Sequence, residues 1–166
     1  MISQEANKAE MEAKRPEESR IILSQVMGPS LANSLGNIHG GVVMKLCDEA
    51  GGLAATRHAG RPAVTVNVDT MRFLSPVHVG DLLNINAVVT WVGRTSIETK
   101  IHVQAENVRT GAITHTNTAF FVFVALDDNG RPAEVPPLKC ETVEEKAAFE
   151  RAKKRRNLRL KLAAEE

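Results

Sequence analysis

Only two of the 166 residues are cysteine, Cys47 and Cys140, so neither a disulfide framework nor a four-cysteine zinc site can be built. Two scattered thiols suit a reducing compartment, and the expected location is the cytoplasm. Tyrosine is absent, and five Phe and one Trp are all the aromatics, too few for the stacking platforms that grip single-stranded nucleic acids. Long apolar runs are missing too: none approaches the roughly 18 residues of a membrane span. The first twenty residues, MISQEANKAEMEAKRPEESR, are rich in Glu, where a signal or transit peptide avoids acid. Charge of one sign is also lacking, with 21 Lys and Arg against 20 Asp and Glu and a net charge of +1. What remains is 43% hydrophobic, the composition of an ordinary globular protein. A chain of this length buries roughly 70% of its unfolded surface as one domain, whereas two halves would each be marginal.

Residues 1–18 are polar and charged and read as a flexible or partly helical lead-in, followed by a compact domain over 19–138 and a charged helix over 139–166. Within the domain, the β-branched residues Ile21, Ile22 and Val26 predict a strand from Arg20 to Met27, stopped by Gly28-Pro29. After a loop, Val43, Leu46, Cys47, Ala50 and Ala54 recur at helical spacing, which predicts one central helix over about 41–57. The period then changes to two. Val64, Val66 and Val68 alternate with Thr65, Asn67 and Asp69 in a strand ending near Phe73, with the valines as the buried face. Leu83, Ile85, Ala87, Val89 and Trp91 repeat the alternation, Gly93-Arg94 marks a hairpin turn, and Ile97, Thr99, Ile101, Val103 and Ala105 form the return strand. Residues 112–125 make the last strand, ending in an apolar run that needs cover on both faces. A Pro-rich connector then leads to a charged helix from about 142 to 162. The expected architecture is α+β: an antiparallel sheet of five to six strands, read as successive hairpins, with one long helix laid on one face. Such a sheet has open edges, so edge-to-edge pairing with a second copy is expected.

Chemistry concentrates in Gly36-Asn37-Ile38-His39-Gly40-Gly41, immediately ahead of the helix. Its glycines let a ligand approach amides made electropositive by the helix dipole, with Asn37 and His39 as further donors. The segment reads either as an oxyanion cradle, which backbone N–H groups and an Asn amide can form, or as a plain Gly-rich helix start. Asp48 and Glu49 lie further along the helix on a stripe with Lys45, Gly52 and Thr56. That stripe is either a solvated face with a Lys45–Glu49 pair or a site. At about 1.5 Å rise per residue, Asp48 lies roughly 10–12 Å from the Gly40-Gly41 end, too far to act on a carbonyl held there. If both act on one substrate, they come from two subunits with antiparallel helices. No Gly-x-Ser-x-Gly elbow occurs, Cys47 falls on the apolar face, and the five His lack H-x-x-x-H spacing, so neither a thiolate nucleophile nor a metal site is expected. Arg94, Thr95 and Ser96 follow a hairpin turn, where charge and hydroxyl donors suit phosphate. The run from Arg151 to Lys161 carries seven cations and no acid, either a solvated helix end or a surface for a polyanion.

Taken together, Gly36-Asn37-Ile38-His39-Gly40-Gly41, Met44-Lys45-Leu46-Cys47-Asp48-Glu49-Ala50 and Ala55-Thr56-Arg57-His58 resemble the hot-dog-fold acyl-CoA thioesterases of the cytosolic acyl-CoA hydrolase type. The resemblance continues through Phe73-Leu74-Ser75-Pro76-Val77, Gly80-Asp81, Val92-Gly93-Arg94-Thr95-Ser96 and Glu134-Val135-Pro136-Pro137, covering about residues 15–160. It implies a sheet wrapped around a central helix and hydrolysis of fatty acyl-CoA to free acid and CoA. It also implies that Asn37 and Asp48 are catalytic across a dimer interface, within an assembly that is commonly a trimer of dimers. Asp48 would act as general base or as nucleophile, and Asn37, beside His39 and the Gly41 amide, would polarise the carbonyl. Arg94, Thr95 and Ser96 match the segment that contacts CoA. No cofactor is implied, since CoA is part of substrate and product, and no specific nucleic acid is expected as partner. Two other readings compete: a non-catalytic acyl-CoA-binding regulator of the same fold, and a hydratase, which would want a His and carboxylate pair.

Overall fold

The computed structural model describes residues 11–165. Five strands, β1 (Ile21–Val26), β2 (Ala63–Phe73), β3 (Leu82–Val92), β4 (Ser96–Asn107) and β5 (Ala112–Ala125), form one antiparallel sheet in the order β1-β3-β4-β5-β2. A helix α1 (Gly40–Ala59) packs against every strand, and a second helix α2 (Val143–Ala163) follows the connector. Both helices run slightly beyond the periodic residues that predicted them. The expectation of successive hairpins holds for β3, β4 and β5. It fails for β2, which crosses under α1 to the far edge and pairs with β5 instead of β3.

The sheet's α1 face is built from Leu83, Ile85, Ala87 and Val89 of β3, Ile101 and Val103 of β4, and Phe121 and Phe123 of β5, all buried. Val43, Leu46, Cys47, Ala50, Gly51 and Ala54 of α1 meet them. The helix is rich in small residues because it lies so close. A Cβ on Gly51 would come within 2.8 Å of Thr99 Oγ1, 3.0 Å of Ile101 and 3.1 Å of Phe123. Gly51→Val therefore forces helix and sheet apart. Overpacking of this kind costs about 2 kcal/mol, so the urea midpoint of the variant is expected to fall with no change in the denaturant slope; an unchanged midpoint would show that the helix can slide.

The packed unit begins before residue 19. Lys14 exchanges backbone hydrogen bonds with Pro137 and Lys139, its ammonium donates to the carbonyls of Arg57 and His58 at 3.2 and 2.9 Å, and Pro16 and Ser19 are buried. The lead-in from Lys14 onward thus caps the C-terminus of α1, beside the left-handed Gly60 (φ +69°) whose N–H closes on Thr56. The expectation for residues 1–10 lies outside the described residues. Fully buried His58 ties these segments together: Nε2–H donates to the Pro136 carbonyl at 2.9 Å, which leaves Nδ1 to accept from the Ser19 hydroxyl at 3.3 Å. Burial lowers its pKa below the ordinary 6.5, against the opposing pull of the Pro136 carbonyl. A depressed histidine gives stability that is fully present above the unfolded value and lost as pH falls through it toward the folded one. Between pH 7.5 and 5 the wild type is expected to lose more stability than His58→Gln, which keeps a donor and an acceptor. His102, lowered by burial and by its neighbours His115 and Lys100, acts in the same direction in both proteins, so parallel pH dependences would assign no part to His58.

Candidate functional site

The loop ahead of α1 is shaped by Asn33, whose side-chain oxygen accepts from the amides of Leu35 and Asn37 while its own amide donates to the Asn37 carbonyl at 2.7 Å. Ile38 and His39 are pinned by backbone bonds to Val77 and Leu31. His39 is the N-cap of α1 in extended conformation, so Gly40 and Gly41 open the helix and their amides have no intrahelical acceptor. Asn37 and Gly40 line a depression of about 300 Å³ with Phe73, Ser75 and Pro76. Gly41 is exposed, and a Cβ there would meet nothing nearer than the His39 ring at 3.7 Å, so a ligand has room to approach this end of the helix. His39 is exposed beside it and lines neither this depression nor the one that holds Asp48.

Asp48 sits two turns along α1 in a second groove of about 510 Å³ with Leu23, Gly52, Leu53, Val64, Thr65 and Phe123. The Thr65 hydroxyl donates to Asp48 Oδ1 at 2.5 Å, which fixes the rotamer of a carboxylate that lines the groove. Glu49 turns instead to Lys45 at 3.5 Å, the surface pair expected of that stripe. Within one subunit the Asn37 depression and the Asp48 groove share no lining residue, as the helical rise requires. Cys47, one residue away, points into the core, where burial pushes its thiol up to about 12; it is a packing residue and not a nucleophile.

Arg94, Thr95 and Ser96 lie on the β3–β4 turn at the same end of the sheet as the Asp48 groove, since Ser96 pairs with Val124 and Val124 with Val64. Arg94 is exposed with Glu134 at 3.7 Å, and its backbone carbonyl accepts from Val135. Arg94 therefore projects from a braced turn.

Sequence reasoning overlooked Thr65 and misread the strand that carries it. Val64, Val66 and Val68 were expected to be the buried face of β2, yet they are 44, 54 and 40% exposed. Two register shifts, between Thr65 and Asn67 and between Val68 and Thr70, rotate the strand, and β2 is an edge with no strand on its outer side among the described residues. The signal was the polar half of the alternation, Thr65, Asn67 and Asp69, a set assigned to solvent.

The thioesterase superfamily model matches residues 35–112, which contain the Asn37 loop, Asp48 and Thr65. YkhA of Bacillus subtilis, named an uncharacterized acyl-CoA thioester hydrolase, is 35% identical over 144 residues, covering 84% of this chain and 84% of that protein. The chain belongs to the thioesterase superfamily. A solved hexameric acyl-CoA thioesterase superposes with TM-score 0.89 at 38% identity, covering 93% of this chain and 99% of its own. The acyl-CoA hydrolase of Staphylococcus aureus, solved with butyryl-CoA, CoA and CoA disulfide, is 30% identical with TM-score 0.85 over 92% and 93% of the two chains. That enzyme has also been solved with an aspartate, an asparagine or a threonine replaced by alanine. The fold is thus the hot-dog fold that the resemblance implied, with five strands among the described residues, within the expected five to six.

Proposed function

We infer that the chain hydrolyses acyl-CoA to free acid and CoA at sites built from two subunits. The observation that carries this reading is the separation of Asn37 with the helix N-terminus from Asp48 with Thr65 into two grooves of one subunit, in a chain of the thioesterase superfamily. A two-fold pairing that sets α1 antiparallel to its copy brings each Asn37 to the other chain's Asp48. The exposed β2 edge and its valines fit this role: the edge offers free ladder groups and the valines an apolar rim, so joining two β2 strands covers both. The dimer is the proposed minimal unit, and a trimer of such dimers accounts for a hexamer like that of the structural neighbour. Cytoplasmic action is proposed on the strength of the two free cysteines.

The thioester carbonyl lies between the Asn37 amide and the Gly41 N–H, donors placed for the oxyanion that forms on attack. Asp48 of the other subunit supplies the attack. As base it takes a proton from water and returns it to the departing CoA thiolate; as nucleophile it forms a mixed anhydride that water then opens. In both routes one water is consumed and free acid and CoA thiol leave, with the chain's own groups carrying every step. Thr65 holds Asp48 in one rotamer through its hydroxyl. His39 borders the oxyanion donors, and Arg94, Thr95 and Ser96 are assigned to the CoA phosphates by their place beside the Asp48 groove. The aspartate, asparagine and threonine replaced in the S. aureus enzyme are the residue types that Asp48, Asn37 and Thr65 present.

Thiol release from CoA esters of increasing acyl length, followed with a chromogenic disulfide, tests the reading. Release by the wild type that is lost in Asp48→Ala is the expected outcome. Tight acyl-CoA binding without release would overturn it in favour of a regulator.

A further inference from the structure

The basic run at the C-terminus is not simply a solvated end. Helix α2 lies on the sheet face opposite α1, and two of its cations are used internally: Arg155 on Glu98 of β4 and Arg159 on Asp69 of β2, the latter at 2.5 Å. Asp69 is a charged residue on an edge strand, yet its side chain is only 9% exposed. Both its oxygens are taken, Oδ2 by Arg159 and Oδ1 by the Asn67 side-chain amide at 2.6 Å. Asn67 stands immediately after the first bulge of β2, and Asp69 is itself the extra, unpaired residue of the second. The first register shift lies between Thr65 and Asn67 and the second between Val68 and Thr70, so the chain Arg159–Asp69–Asn67 ties the second bulge to the residue that ends the first. Immediately before the first bulge stands Thr65 with its hydroxyl on Asp48.

An edge strand has backbone partners on one side only, and a bulge is an extra residue that can move along such a strand. Because side chains alternate with period two, a shift of one residue turns the whole set to the opposite face. Thr65 would then leave Asp48. We propose that α2 is a positioning element of the thioesterase site: Arg159, through Asp69 and Asn67, holds the bulges of β2 in the register that keeps Thr65 against Asp48. This rests on the function proposed above and adds to it a role for residues on the other face of the sheet from the chemistry. The cationic helix then acts on the turnover step and not on CoA binding. Arg159 is a positioning residue, since it touches neither substrate nor Asp48.

The test uses the full-length protein and butyryl-CoA. Arg159→Met, which keeps the length of the side chain, is expected to lower kcat about tenfold or more, the scale of a misplaced catalytic group, with KM within about twofold. Arg159→Lys, which keeps the charge, restores most of the rate. In a Thr65→Ala background Arg159→Met has little further effect, because the contact it supports is already gone. Equal losses in both backgrounds would overturn the proposal, as would a salt-sensitive rise in KM at constant kcat, which would place α2 on the CoA phosphates. Amide exchange across residues 63–73 gives a reading independent of turnover. Faster exchange in Arg159→Met is expected, and unchanged exchange overturns the role of α2 on β2. A wild type that releases no thiol instead overturns the thioesterase reading, whatever the exchange shows.

Discussion

Equal mixing of Asp48→Ala and Asn37→Ala subunits is expected to restore about a quarter of the wild-type activity, although each variant alone is expected to be nearly inert. Removing the base costs about 10²- to 10⁴-fold and removing an oxyanion donor about 10²- to 10³-fold, so both homodimers fall far below the wild type. Random reassembly makes half of the dimers heterodimers. In each of these, one site joins the intact Asn37 of the first chain to the intact Asp48 of the second, while the other site lacks both. Half of the dimers with half of their sites native gives about one quarter, the outcome that two-fold symmetry imposes on a shared site. Thiol release measured after co-refolding, against the same mixture without refolding, reads the result. Recovery absent from the co-refolded sample would place Asn37 and Asp48 in one subunit's site and overturn the two-groove argument.

Arg155→Ala is expected to be the most destabilising single change on the outer face of the sheet. Glu98 is 2% exposed, and Arg155 grips it with two hydrogen bonds, Nε to Oε2 at 3.0 Å and Nη2 to Oε1 at 2.7 Å, while lying 3.7 Å over the Phe120 ring. Only the Thr90 hydroxyl, at 2.7 Å, would remain for the stranded carboxylate. Breaking a buried pair from one side costs about 3–5 kcal/mol, because an unpaired charge stays in the interior. At roughly 2–4 °C per kcal/mol for a chain of this size, Tm drops by about 10 °C at fixed protein concentration. Replacing both partners with apolar residues, Glu98→Leu with Arg155→Met, is expected to recover much of the loss, since the cost lies in the orphaned charge and not in the missing attraction. A loss under about 1 kcal/mol in Arg155→Ala would show that α2 peels away and lets water reach Glu98.

These two predictions draw on parts of the chain that were not equally legible in the sequence. Helix α1 was legible because Val43, Leu46, Cys47, Ala50 and Ala54 recur with its period, and its poverty in charge matched the close approach that the Gly51 contacts explain. Strands β3 and β4 were legible because both lie inside the sheet, where alternation maps directly onto burial. Strand β2 shows the same alternation with the opposite outcome. Its valines are exposed and its polar residues engaged, because β2 is an edge of the sheet and two bulges turn its side chains away from the simple alternation. The partners of Asp48 and Asp69 were illegible for another reason. Thr65 and Arg159 are 17 and 90 residues away in sequence, and no local pattern encodes which strand a distant residue will face.

The sequence by itself determined the element types, the apolar face of α1, and the separation of Asn37, ahead of the helix, from Asp48, two turns along it, since these follow from local periodicity and the fixed rise of the α-helix; the family was legible in the motifs around Asn37 and Asp48. Only the tertiary structure decided that β2 crosses to the far edge, that its bulges turn Thr65 onto Asp48, and that the basic helix spends Arg155 and Arg159 on buried carboxylates. Strand order and ion pairing are set by the packing of segments distant in sequence, where burying a charge is tolerated only if its counterpart arrives from elsewhere in the fold.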